Sequence, residues 1–93
     1  MIDTVLDWNR QAVPDKFDDL AEAIGLGRDG AAFVPWLRRL KTQIGIVGGL
    51  AQHGVTATML PRLVPLAAVD FTGQTNPRKA VEADYERLFL TAM

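Results

Sequence analysis

LPRLVPLAAVDF, Leu60 to Phe71, decides the fold class. Leu60, Leu63, Val64, Ala67, Ala68 and Phe71 recur at i, i+3, i+4, i+7, i+8 and i+11, the spacing that lines one face of an α-helix and has no counterpart in a strand. Thr56 or Thr58 is the expected cap. Pro61 suits a first turn, whereas Pro65 removes one intrahelical hydrogen bond and is expected to bend the helix.

The same period runs outward in both directions. Ile2, Val5, Leu6 and Asn9 share one face of a first helix, with Asp3, Asp7 and Arg10 outside it. After Pro14, a helix over about 15–24 aligns Phe17, Leu20, Ala21 and Ile24, and Gly25 stops it. Asp29 is the expected N-cap of a third, which carries Phe33, Leu37, Leu40 and Ile44, with Pro35 near its start and Arg38, Arg39 and Lys41 on its outer face. A last helix over about 81–92 aligns Val81, Tyr85, Leu88, Phe89 and Ala92, leaving Glu82, Asp84, Glu86 and Arg87 on the wet side. Nothing alternates as a strand would. The expectation is a single all-α domain over 1–93, a compact bundle of five to six short helices.

Composition narrows the function. Ten basic against eleven acidic residues, a net charge of −1, leave no electrostatic footprint for nucleic acid or an anionic membrane. Without cysteine there is no disulfide, thiolate metal site or cysteine nucleophile. No run approaches the ~20 apolar residues of a membrane span, and the acidic start MIDTVLD is not that of a signal peptide, so a cytoplasmic protein is expected.

Candidate chemistry is sparse. In GLAQHGVT, Gly49 to Thr56, the glycines and the threonine stand at P-loop spacing, but Val55 occupies the place of the lysine that would reach the phosphates. The better reading is a short helix ended by Gly54 in a left-handed conformation. Asp15, Asp18, Asp19 and Glu22 hold spacings that suit a hard cation, without the glycine-turned oxygen loop such a site uses, and read as the polar side of their helix. The Arg38, Arg39, Lys41 cluster suits a phosphate or an acidic partner, or is a plain solvated face. His53 has no second histidine to share a metal with, and Trp8 and Trp36 read as core or interface aromatics. No catalytic, metal or cofactor-binding residue emerges from these patterns.

Taken in order, VLDWNR (5–10), KFDDLAEAIGL (16–26), IGI and GV (44–46 and 54–55), LPRLVPLAAVD (60–70), TNPR (75–78) and DYERLFLTAM (84–93) resemble the C-terminal helical region of the iron-containing alcohol dehydrogenases. The resemblance implies a parent enzyme that transfers hydride between alcohols or aldehydes and NAD(P), with iron or zinc held by an Asp and three His. It implies too that the nucleotide domain and those ligands lie outside this chain, which alone is then inactive and contains no cofactor. Lys79 departs from the proline that often follows NPR in the family. In the family the loop before NPR approaches the substrate side of the metal cleft, so Phe71, Thr72, Gly73 and Gln74 are candidates for a pocket wall, or else an ordinary interhelical loop. Helices that lose their family neighbours would expose Ile2, Val5, Leu6 and Trp8, and self-association, most simply as a dimer, is expected. The other functional class is a non-catalytic helical interaction module.

Overall fold

A computed structural model describes all 93 residues. The chain contains five α-helices and no strand: α1 (Ile2–Arg10), α2 (Pro14–Ala23), α3 (Phe33–Gln43), α4 (Leu60–Val69) and α5 (Glu82–Ala92). Four short 3₁₀ turns cover Gly30–Ala32, Leu50–His53, Ala57–Met59 and Phe71–Thr75. The all-α expectation therefore holds. The residues divide into two helical units, one of residues 2–47 and the other of residues 48–93 with Met1.

The first unit is built on α2. Pro14 opens it at the position where a missing N–H costs nothing, and Gly25, at φ +81°, closes it. The Gly25 and Leu26 amides donate to the carbonyls of Glu22 and Ala21, the paired bonds of a left-handed helix stop. Phe17, Ala21 and Val34 are buried, and Phe33 meets the Phe17 ring edge-on at 5.8 Å. Val34 is among the most deeply enclosed side chains, with Phe17, although the expected stripe of α3 passes beside it through Phe33 and Leu37.

Several sequence expectations fail here, because a stripe fixes neither where its helix ends nor what packs against it. Leu20 and Ile24 are exposed, and Ile44, 62% exposed, lies beyond the last turn of α3. Asp29 stands at the N-cap position of the Gly30–Ala32 turn, but its carboxylate makes no cap bond. Asp18 supplies one instead: its Oδ1 accepts the Gly30 N–H at 2.8 Å. A Cβ on Gly30 would come within 2.8 Å of the backbone of Phe17 and Asp18, so glycine permits the approach of this turn to α2. Asp3, expected outside the apolar face, is largely covered, accepting from Lys41 Nζ at 2.7 Å and Arg38 Nε at 3.2 Å.

In the second unit α4 packs against α5, with Leu60, Val64, Leu88 and Ala92 buried. Leu63 and Phe89, both on the expected apolar faces, are half-buried. α4 runs through Pro65 and stops at Val69, short of the expected Phe71, which is 78% exposed. Neither Thr56 nor Thr58 caps it; their hydroxyls bond each other at 2.8 Å, and Met59 occupies the cap position. α5 starts after Val81, whose N–H donates to Asp84 Oδ2 at 3.1 Å, so Asp84 is a helix-start residue rather than part of the wet face. The Leu50–His53 turn sits on the end of α5, where the Ala51 N–H donates to the Met93 carbonyl at 3.2 Å.

Candidate functional site

The Asn76–Pro77 step is extended, with Asn76 at ψ 135°, as a residue before proline is constrained to be. It follows the Phe71–Thr75 turn and leads the chain into α5. The start of that turn is fixed by Asp70, whose Oδ1 accepts from the Thr72 N–H at 2.8 Å and from the Thr72 hydroxyl. Those bonds, the hydroxyl first and the amide second, hold the Asp70 carboxyl below its ordinary pKa. Thr75 Oγ1 donates to the Thr72 carbonyl at 3.1 Å, and Asn76 Nδ2 donates to the Arg78 carbonyl at 2.6 Å.

Along this path lies an open cleft of about 490 Å³. Gly73 and Gln74 line it together with Asp70, Asn76, Lys79 and Tyr85, and Ala68, Val69 and Ala80 form its apolar part. The Tyr85 hydroxyl lies so close to Gly73 that a Cβ there would sit 2.9 Å from it. Of the four residues expected in a pocket wall, Gly73 and Gln74 are on the cleft, whereas Phe71 and Thr72 are exposed and lie off it. Asp70, Lys79 and Tyr85 are additional cleft residues. Tyr85 falls on the apolar stripe of α5, yet its hydroxyl end reaches the cleft beside Gly73.

The other candidates resolve into intramolecular contacts. Arg28 bridges Asp19 at 2.8 Å and Glu22 at 2.6 Å, and the two carboxylates, Asp19 foremost, raise the guanidinium pKa further. With Asp18 on Gly30, three of the four clustered carboxylates of α2 have partners of their own. Lys41 and Arg38 hold Asp3 as their acidic partner. His53 is exposed and ends the Leu50–His53 turn, after which Gly54 adopts φ +90° and the Val55 amide returns to the Leu50 carbonyl. GLAQHGVT is thus the helix stop expected from its glycine. Nowhere do three His, Asp or Glu side chains converge as a metal set.

No protein-family model matches the chain. It is 34% identical over 79 residues to the 4-hydroxybutyrate dehydrogenase of Cupriavidus necator, covering 85% of this chain and 20% of that protein. It is 32% identical over 92 residues to the 1,3-propanediol dehydrogenase of Citrobacter freundii, covering 91% of this chain and 24% of that protein. The structure superposes on a crystal structure of a 1,3-propanediol oxidoreductase with a TM-score of 0.87 at 32% identity, over 99% of this chain and 26% of that one. The chain thus spans about a fifth to a quarter of the length of the proteins it matches. No helix is long and apolar enough to cross a membrane. The order of sequence blocks, the all-helical fold and these similarities agree: in sequence and fold the chain matches part of the iron-containing alcohol dehydrogenases.

Proposed function

We propose that these 93 residues form the C-terminal helical part of a cytoplasmic, metal-dependent and NAD(P)-linked oxidoreductase of small alcohols and aldehydes, and that the cleft beside Gly73 and Gln74 borders its substrate side. The observation that carries this reading is the similarity to two dehydrogenases and to a solved oxidoreductase over nearly the whole of this chain. Phe71 and Thr72 lie off the cleft and are not assigned to its wall. The names of the relatives suggest substrates with a terminal alcohol, such as 1,3-propanediol or 4-hydroxybutyrate.

The residues present do not fit a metal or a nucleotide. A divalent transition metal needs several imidazole or carboxylate donors on one point, and His53 is a lone imidazole remote in sequence from any such set. In GLAQHGVT Gly49 precedes and Gly54 ends a short helical turn, and the lysine of a phosphate loop is missing. Both groups would be held by protein outside these residues, and the chain alone is then catalytically inactive. Its share of the work is to shape the cleft.

A second reading, an interaction module without catalysis, is favoured by the apolar side chains of Leu66, Val69 and Phe71, all more than half exposed. Under either reading these and Ile2 offer surface for self-association or for packing against the rest of an enzyme.

A chimaera separates the two. This chain replaces the matched region of the Citrobacter freundii enzyme, and reduction of NAD⁺ by 1,3-propanediol is followed. The oxidoreductase reading expects turnover in the chimaera and none in the chain alone. A chimaera that melts cooperatively and binds its metal but shows no turnover would defeat it.

A further inference from the structure

α4 is apolar on two sides. Leu60 and Val64 are buried in its contact with α5, while Met59, Leu66 and Val69 are exposed on the other side. A helix apolar on more than one face is one that is covered on more than one face. Arg62 is the one charged residue within Leu60–Val69; it is exposed and makes no hydrogen bond or ion pair in the chain. Asp70 follows the last turn with φ −67°, so it continues the helical path by one more position. Its Oδ1 is taken by Thr72, which leaves Oδ2 as an acceptor. Arg62, Leu66 and Asp70 thus form one i, i+4, i+8 row of a basic, an apolar and an acidic residue, with Met59 and Val69 flanking it.

We infer that this face pairs with the same face of a second copy of the chain, the two α4 helices running antiparallel about a two-fold axis at Leu66. Arg62 and Asp70 lie four residues, roughly 6 Å, to either side of Leu66, so antiparallel packing sets each Arg62 opposite the partner's Asp70. A two-fold contact needs a surface complementary to itself. The row meets that condition in the antiparallel sense alone, since parallel packing would oppose Arg62 to Arg62 and Asp70 to Asp70. At the roughly 8–10 Å between packed helix axes, a guanidinium reaches the opposed carboxylate. Leu66 and Val69 of both copies supply the apolar centre. One exposed helix face is small beside the ~800 Å² per partner of a standard interface, so the dissociation constant is on the order of 10 µM. The inference deepens the self-association named above and does not depend on the oxidoreductase reading. Its test reads association rather than turnover, so the two fail separately.

The experiment is sedimentation equilibrium of the 93-residue chain over about 1–200 µM, where a monomer–dimer equilibrium is expected. Arg62→Glu and Asp70→Lys should each weaken it about tenfold by opposing like charges, and an equimolar mixture of the two variants should restore it, because each introduced charge then faces its opposite. Asp70→Asn retains the Oδ1 bond to Thr72 and should weaken the dimer about threefold, which separates lost charge from a disturbed turn. Leu66→Ser should abolish dimerisation while leaving the melting temperature of the dilute monomer within ~2 °C. Four results each overturn the inference: a monomer at every concentration, Arg62→Glu associating as well as the unaltered chain, a mixture no stronger than either variant alone, or a dimer that survives Leu66→Ser.

Discussion

Lys41 Nζ donates to Asp3 Oδ1 at 2.7 Å across 38 residues of sequence, joining α1 to the last turn of α3. Arg38 Nε donates to the other oxygen at 3.2 Å. Burial alone would raise the Asp3 pKa, but the bonds from Lys41 and then Arg38 outweigh it, and the carboxyl is lowered from 3.8 to about 2. A depressed carboxyl pKa stabilises the fold above its unfolded value, and that contribution disappears as pH falls through the folded one.

The first prediction follows from that sign. The contribution is complete above about pH 4 and lost by about pH 2, and with Arg38 half exposed it is of order 1 kcal/mol. Asp3→Asn is expected to lower the melting temperature near pH 7 and to reduce the loss of stability between pH 4 and 2. Chemical denaturation at a series of pH values measures both, and an unchanged acid slope in the variant refutes the assignment.

Gly30 tests the approach of its turn to α2. With backbone atoms of Phe17 and Asp18 at 2.8 Å from any added Cβ, Gly30→Ala has to displace main chain rather than a flexible side chain. A cost of more than ~2 kcal/mol is expected, from overpacking and loss of the Asp18 bond together. Asp18→Ala, which removes that bond alone, should cost ~1 kcal/mol. Thermal melts should therefore rank Gly30→Ala below Asp18→Ala, by several degrees for each kcal/mol.

Leu88 and Leu90 stand two residues apart on α5 with opposite surroundings: Leu88 is buried and Leu90 is 52% exposed. Leu88→Ala is expected to cost ~2–5 kcal/mol, and Leu90→Ala under ~1 kcal/mol. Equal losses in urea unfolding would mean that α5 presents another face to α4.

Phe71 and Val69, 78% and 80% exposed, gauge association in the second unit. Phe71→Ser and Val69→Ser are expected to leave the melting temperature within ~2 °C, since neither side chain is packed. Sedimentation at micromolar concentration is expected to show an associated species in the unaltered chain and less of it in the double variant. A monomer of 10.2 kDa in both would remove the apolar surface as an association site.

What the sequence determined by itself was local. Periodicity in LPRLVPLAAVDF and its counterparts marked five helices, because side chains three and four residues apart meet on one face whatever lies beyond. Gly25 and Gly54 announced helix stops, because a left-handed residue costs glycine little. The ordered blocks from VLDWNR to DYERLFLTAM carried the family. The tertiary structure decided partnership. Asp29, adjacent to its turn, was passed over for Asp18 from another helix, and Asp3 was drawn in by Lys41. Phe71 and Ile44 kept the helical spacing but fell past the ends of their helices. Tyr85 became a cleft residue because the turn bearing Gly73 lies beside its hydroxyl. A spacing records which residues can share a face, whereas burial and hydrogen bonding depend on what the rest of the chain places opposite that face, and no local pattern encodes it.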